Sequence, residues 1–155
     1  MSGIINSAGS KSGVIGQTEL DYEEGTWTPT ITGYTAGSTQ TYSDQTGTYT
    51  KIGDICHARF SVRLSAKGDI SGNYTFLGGI PYNHTASGGS CMFNTVWDLS
   101  GAVSWVGGEC GSTAHVIWLT QMDGTSGTST GYMSATNDVS GTFGVMGLAT
   151  YKVAT

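Results

Sequence analysis

Few residues in this 155-residue chain have the types and spacing that enzyme chemistry requires. A Gly-x-Ser-x-Gly pattern, typical of a serine nucleophile at a strand-to-helix turn, occurs at 127–131. It lies in a run of Gly, Ser and Thr with no helical pattern after it, where such a match arises by chance. Cys56 and His57 are adjacent, so an extended strand points them to opposite faces and they cannot form a nucleophile–base pair.

Acidic and metal-ligating residues are scattered in the same way. Glu23 and Glu24 are neighbours, and their carboxylates diverge in an extended segment, whereas glycoside hydrolysis needs two carboxylates facing one bond. The His and Cys residues lack the spacing of a zinc site, and no acidic loop resembles a calcium-binding loop. We therefore expect a protein that is not an enzyme, with no catalytic residue, no cofactor and no metal.

Aromatic side chains are the remaining candidates for recognition, and the chain has four Trp and eight Tyr. Aromatic rings stack on sugar rings and anchor protein interfaces. Trp97, Trp105 and Trp118 lie in apolar segments, so they are predicted to pack in the core or in a subunit interface. A second set falls in segments interpreted as loops, where recognition residues concentrate. These predicted receptor or glycan contacts are Tyr34, Tyr42, Tyr82 and His84.

The composition indicates which elements hold these residues. Only 11% of residues are charged, the net charge is -5, and there are 25 Gly. Thr, Val, Ile, Tyr and Trp interrupted by Gly, Ser, Asn and Asp are typical of an all-β protein with many turns. Sparse basic residues disfavour a nucleic-acid partner, and no apolar run has the length of a membrane span. Three cysteines without C-x-x-C spacing favour reduced thiols, with one disulfide left open: Cys56, Cys91 and Cys110.

The strand pattern is clearest at 55–65, where apolar and polar residues alternate. Together with a strand at 47–51 and a turn at 52–54, it predicts a hairpin over 47–65. In 26–32, Trp27, Pro29 and Ile31 share one side, and the proline predicts an edge or entry strand. The side chains predicted to face the core from 55–65 are Cys56, Ala58, Phe60, Val62 and Leu64.

The second half predicts shorter strands. One, at 102–106, is expected to end at Gly107 and Gly108, and another, at 114–122, has Val116, Trp118 and Met122 on one face. A loop is expected at 83–90. The whole chain then has roughly eight to ten strands, which favours an antiparallel β-sandwich of jelly-roll type over a parallel β-helix. The predicted domains are an extended arm at 1–24 and the β-sandwich at 25–155.

The predicted arm contains two copies of one apolar pattern, Ser-Gly-Ile-Ile at 2–5 and Ser-Gly-Val-Ile at 12–15. Ile4, Ile5, Val14 and Ile15 have no core of their own. Burying each against a partner would contribute on the order of 1.5–3 kcal/mol before ordering costs, so we expect the arm to dock on another protein. The competing interpretation is that the arm folds back as an added strand on its own or a neighbouring subunit.

Three segments carry a resemblance to a known family. Leu-Asp-Tyr-Glu-Glu-Gly-Thr-Trp-Thr-Pro-Thr-Ile at 20–31, Gly-Thr-Tyr-Thr-Lys-Ile-Gly-Asp at 47–54 and Gly-Ile-Pro-Tyr at 79–82 are similar to motifs of tail-fibre-like virion surface proteins of tailed bacteriophages. The resemblance covers about residues 2–82. It implies a homotrimer without catalytic activity. Tail fibres have a long shaft, whereas about 24 residues precede this domain, so the resemblance implies a short knob on an arm.

The expected function is therefore a non-enzymatic bacteriophage virion surface protein, made in the host cytoplasm and located on the virion surface. Its expected partners are further copies of itself and another phage structural protein, in the capsid or in the tail or baseplate. Two roles stay open: attachment to host surface polysaccharide, and capsid decoration as a cement protein. The alternative class is a free carbohydrate-binding module, without any role for residues 2–18.

Overall fold

The computed structural model describes residues 21–35, 37–100, 103–113, 115–123 and 130–154. Within these ranges the chain forms ten β-strands and no helix, and every strand pairing is antiparallel. The predicted all-β antiparallel class is confirmed. The arm residues Ile4, Ile5, Val14 and Ile15 lie outside the described residues. The strands are β1 (Tyr22–Trp27), β2 (Thr30–Gly33), β3 (Thr41–Ile52), β4 (Ile55–Ala66), β5 (Thr75–Gly78), β6 (His84–Leu99), β7 (Val103–Glu109), β8 (Ile117–Asp123), β9 (Thr130–Tyr132) and β10 (Val139–Val153).

The strands form one sheet that curls on itself. Its hydrogen-bonded order is β1-β3-β4-β10-β6-β7-β8-β5-β2, with β9 paired to β8. The two end strands, β1 and β2, are separated along the chain only by Thr28 and Pro29, so the sheet must bend until its ends are close. The predicted edge position of 26–32 is confirmed. The segment is two strands rather than one, because proline has no N–H to continue a ladder.

The predicted hairpin over 47–65 is also confirmed. β3 and β4 pair from Thr41 to Ala66 around a turn in which Gly53 has a φ of 59°. All five side chains predicted to face inward from β4 are buried, as the alternating pattern requires. β3 begins before the predicted strand, since pairing with β4 extends it through the polar residues from Thr41.

The core fills the inside of the curl with side chains from nearly every strand. Its largest fully buried members come from both halves of the sheet order, which shows that one apolar interior serves the whole sheet. They are Ile31, Val62, Leu64, Ile70, Leu77, Ile117, Leu119, Met133, Phe143, Val145 and Tyr151.

The inner face predicted for 114–122 is wrong. In β8 the fully buried residues are Ile117 and Leu119, while Trp118 lies on the outer face. The pairing of Leu77 with Ile117 sets this register, and a register of the opposite parity would turn both of those aliphatic side chains outward.

Two local predictions are also wrong. β7 does not end at Gly107 and Gly108 but runs to Glu109, because the ladder to β8 continues through both glycines. The loop predicted at 83–90 is instead part of β6, which pairs with β10 through Gly89 opposite Tyr151. In both places backbone pairing within the sheet outweighs the weak strand propensity of glycine.

The three cysteines are free and buried, so no disulfide joins them. Burial raises the pKa of the Cys56 thiol and raises the pKa of Cys110 to about 11. Thiols of this kind are protonated at neutral pH and poor nucleophiles, which makes these cysteines packing residues.

Phe60→Ala tests the assigned inner face of β4. The ring is 3% exposed and packs edge-on against Trp27, with ring centres 6.1 Å apart, and against Phe93, at 5.8 Å. Removing it leaves a cavity and should lower the free energy of unfolding by roughly 3–5 kcal/mol, measured by urea unfolding. An unchanged unfolding midpoint would show that Phe60 is not a core residue.

Candidate functional site

The three segments that carry the sequence resemblance meet at one place in the fold. Antiparallel pairing sets Glu23 of β1 opposite Lys51 of β3, and the Tyr49 hydroxyl donates to Glu23 Oε1 at 2.9 Å. Lys51 Nζ lies 2.6 Å from Asp21 Oδ2 and 5.8 Å from the centre of the Tyr82 ring. We call these five residues the tyrosine clamp.

The clamp satisfies its own polar groups. Hydrogen bonds from the Tyr82 and Tyr49 hydroxyls hold the pKa of the Glu23 carboxyl below its ordinary value. Burial, followed by the hydrogen bond to Glu23, raises the pKa of Tyr82. The two tyrosine rings meet edge-on at 5.5 Å. Tyr82, a predicted receptor contact, is therefore half-buried, and its hydroxyl is already engaged within the chain.

Glycines in the same segments make room for large side chains. A Cβ on Gly25 would lie 2.8 Å from the Tyr49 ring, and one on Gly47 would lie 2.6 Å from Trp27 Nε1. The Trp27 Nε1 donates to the carbonyl oxygens of Arg59 at 3.0 Å and Thr48 at 3.3 Å. The segments that carry the resemblance thus fix the edge strand β1 to the β3–β4 hairpin, which is a structural role.

Tyr42 and His84 are not in loops, and on this point the sequence-based interpretation was wrong. Tyr42 lies in β3, where its hydroxyl donates to the Ile31 carbonyl oxygen at 3.1 Å. His84 begins β6 with 0% exposure, and its Nε2 donates to the Val116 carbonyl oxygen at 2.7 Å. The Tyr42 hydroxyl and the His84 ring thus each form a hydrogen bond with the backbone of a neighbouring segment. A ligand could not reach the His84 ring in this fold.

Tyr34 is placed differently from the other three predicted contacts, because it is 68% exposed. It follows β2, and its backbone N–H donates to the Tyr74 carbonyl oxygen at 3.2 Å. Its ring meets Tyr74 edge-on at 5.5 Å. The structure therefore separates Tyr34 from Tyr42, Tyr82 and His84 and joins it to another aromatic group.

That group is an aromatic cluster on the outside of the curl, built from β5, β8, β9 and the loops beside them. Trp118 lies at its centre, 4.9 Å from Tyr132, 5.1 Å from Tyr74 and 5.1 Å from Phe76, measured between ring centres. We define the aromatic face as this cluster together with Tyr34 and Trp105. Its members are Tyr34, Tyr74, Phe76, Trp105, Trp118 and Tyr132.

Trp105 extends the aromatic face along β7 and is 51% exposed. A Cβ on Gly107 would lie 2.0 Å from the Trp105 ring, so the indole packs directly on the backbone of that glycine. None of Trp97, Trp105 and Trp118 belongs to the buried core, so the core alternative predicted for them is wrong, and packing in a subunit interface stays a prediction. The sequence feature that indicates this packing is the i, i+2 spacing of Trp105 and Gly107. In a strand, this spacing places the indole and the side-chain position of the glycine on the same face.

Charge is segregated between the two halves of the sheet. Strands β2, β5, β7, β8 and β9 contain no Lys or Arg. Glu109 accepts a hydrogen bond from the Tyr132 hydroxyl at 2.9 Å, and this bond raises the pKa of Tyr132. The strand-borne basic residues all lie on β3, β4 and β10: Lys51, Arg59, Arg63 and Lys152.

An open groove of about 550 Å³ lies across the outer face of that basic half. Hydroxyls of Thr46, Thr48 and Ser61 line it beside Arg59, and Met92 at its border is 74% exposed. The lining residues include no His, Cys, Asp or Glu.

The residues considered for catalysis do not come together. Cys56 is buried, whereas His57 is exposed with its Nδ1 3.0 Å from Thr150 Oγ1, so the predicted separation of the pair is confirmed. Glu24 accepts from the Tyr22 hydroxyl at 2.7 Å and points away from Glu23. Most of the 127–131 pattern lies outside the described residues. Within the described ranges, no three His, Cys, Asp or Glu side chains could hold a metal ion together.

The described residues contain no helix long and apolar enough to cross a membrane. Comparison of the chain with protein-family models, with curated proteins and with solved structures finds no match.

Asp69 anchors the loop that follows Tyr34, and the anchor predicts a pH dependence. Its carboxylate accepts from the backbone N–H groups of Thr39 and Ser38, both at 3.0 Å, and these bonds lower the pKa of Asp69 to about 2. Because the pKa is lowered by folding, the stabilisation is complete above about pH 4 and is lost as the pH falls towards 2. Asp69→Asn should therefore lower Tm at pH 7, with a difference from wild type that shrinks towards pH 2.

The measurement is thermal unfolding followed by circular dichroism at pH 7, 4 and 2. Asp54→Asn, which removes an exposed ion pair with Lys152 at 3.1 Å, is the matched control and should change Tm less. A constant Tm difference between Asp69→Asn and wild type across this pH range would contradict the assigned hydrogen bonds.

Proposed function

We propose that this chain is a non-enzymatic bacteriophage virion surface protein that acts in host attachment. In this proposal it forms a homotrimer of β-sandwich subunits of jelly-roll type, and residues 2–18 of each subunit dock on another phage structural protein. The body of the chain then projects from the particle.

One observation carries the proposal. The segments 20–31, 47–54 and 79–82, which resemble virion surface proteins, are distant in sequence but form one unit in the fold through the tyrosine clamp. Chance similarity of short Thr- and Gly-rich segments gives no reason for their residues to contact one another. The resemblance therefore concerns a packed structural element.

The aromatic face favours host attachment over capsid decoration. Tyr34, Trp105 and Tyr132 are each more than 40% exposed, Tyr34 directly after β2 and the other two on β7 and β9. Exposed aromatic rings grouped on one surface are typical of a recognition site. Decoration of a capsid requires only the arm and would leave this surface without a role.

The same surface also fits a free carbohydrate-binding module, and the arm distinguishes the two classes. A free module needs nothing from residues 2–18, whereas a virion protein needs them for attachment to the particle. The aliphatic residues of the arm are therefore the right targets for a test.

The double substitution Ile4→Asp with Ile15→Asp should abolish incorporation into virions. A charged side chain cannot be buried in a docking contact without a large desolvation cost, while the domain itself gains no new strain. Incorporation is measured as copies of the chain per purified virion, and circular dichroism confirms that the variant remains folded.

Ile52→Asp provides the matched control. Ile52 is 43% exposed at the end of β3, so the same chemical change outside the arm should leave incorporation intact. Normal incorporation of the arm variant would refute docking through the arm. Loss of incorporation in both variants would show that the effect is not specific to the arm.

A further inference from the structure

We propose that the aromatic face binds a chain of neutral sugars, with Trp105, Tyr132 and Tyr34 as stacking platforms. This inference deepens the proposed function by naming the site and the ligand class. It rests on that function only for the source of the sugar chain, a host surface polysaccharide.

Trp105 has the geometry of a stacking platform. One side of its indole packs on Gly107, where a Cβ would lie 2.0 Å from the ring, and the residue remains 51% exposed. Because the indole is already held against Gly107, it loses little conformational entropy when a ligand covers it. The free energy of binding is then reduced less by side-chain ordering. Pyranose rings present flat faces of C–H groups that pack on such indoles.

The strand register places a second aromatic ring, that of Tyr132, on the same face of the sheet as Trp105. Gly107 of β7 pairs with Thr120 of β8, which in turn pairs with Tyr132 of β9. Adjacent strands are about 4.8 Å apart, so Tyr132 lies roughly two strand spacings from the glycine that carries the indole. Beyond Tyr132 the rings of Tyr74 and Tyr34 follow, with centres 5.2 and 5.5 Å apart. A surface of this extent suits several consecutive sugar rings better than a single one.

The polar groups of the surface select for a neutral chain. Glu109 lies opposite Trp118 in the ladder and holds the Tyr132 hydroxyl at 2.9 Å, so its carboxylate can accept hydrogen bonds from sugar hydroxyls. The strands β2, β5, β7, β8 and β9 supply no Lys or Arg that could pair with a sugar acid. An acidic polysaccharide would bring its charge beside Glu109 without compensation.

Trp97 provides a contrast on the basic half of the sheet. The Arg63 guanidinium lies over its ring, 5.7 Å from the ring centre, and is held there by Asp98 at 2.7 Å. The face of that indole is occupied by the chain itself. Trp97 is thus a tryptophan outside the core that should not bind sugar, and it serves as the matched control for Trp105.

The test uses the purified full chain against a panel of immobilised glycans that includes neutral glucans, mannans and galactans and the acidic polymer polygalacturonate. Affinity for any bound glycan is then measured by titration calorimetry. We expect binding to at least one neutral glycan and none to polygalacturonate. Trp105→Ala should weaken that binding by at least about tenfold, the loss typical of a truncated aromatic anchor, and Trp97→Ala should leave it within about twofold.

Tyr132→Phe keeps the aromatic ring and removes only the hydrogen bond to Glu109. This milder variant tests sugar binding by the aromatic face if Trp105→Ala does not fold. It should weaken binding less than Tyr132→Ala does. Three results would overturn the inference: no binding to any neutral glycan of the panel, binding confined to polygalacturonate, or equal losses in Trp105→Ala and Trp97→Ala.

The outcome is separate from that of the proposed virion role. Sugar binding that depends on Trp105, in a chain absent from virions, would keep this site and remove the virion role. A chain that is present on virions but binds no neutral glycan would keep the virion role and remove the sugar site.

Discussion

The short connection between β1 and β2 is the constraint on which the rest of this structure depends. These strands are at opposite ends of the hydrogen-bonded sheet order, yet only Thr28 and Pro29 lie between them. Gln45 Nε2 donates to the Pro29 carbonyl oxygen at 3.0 Å, and Gly79, at a φ of 75°, leaves room where a Cβ would lie 2.2 Å from the Thr28 carbonyl oxygen. With this corner fixed, the sheet can only curl, and a single interior results.

The curl also decides what each half of the sheet presents to solvent. Among the described strands, one half of the sheet carries every Lys and Arg, with a groove lined by threonine and methionine across its outer surface. The other half presents the aromatic face and has no Lys or Arg in its strands. The tyrosine clamp lies at the β1 end, where it fixes the edge strand. The structural role of the clamp and the proposed recognition role of the aromatic face thus belong to different groups of tyrosines.

The sequence predicts much of the fold where a strand has one solvent-exposed face and one buried face. The period of two in β4 placed Phe60 and its neighbours correctly, because burial on one side leaves a strong alternating signal. In β8 the inner residue Ile117 and the outer residue Trp118 are both apolar, so the pattern did not distinguish the faces. The register came from pairing with β5, a contact distant in sequence that local periodicity does not contain.

The candidate site was harder to predict for the same reason. The sequence predicts recognition tyrosines from an expected loop position, yet exposure depends on the partners that the sheet supplies. Tyr42 bonds the Ile31 backbone, Tyr82 bonds Glu23, and Tyr34 remains exposed. Trp105 looked like a core residue because it is apolar and lies in a strand. The glycine two positions later was the local sign that its ring lies on the outside.

Immunogold electron microscopy on intact virions, with antibody against residues 26–155, tests the central claim most directly. A host-attachment protein should be labelled at the tail tip or baseplate. Label spread over the head would contradict host attachment in favour of capsid decoration, and particles without label would contradict a virion role altogether.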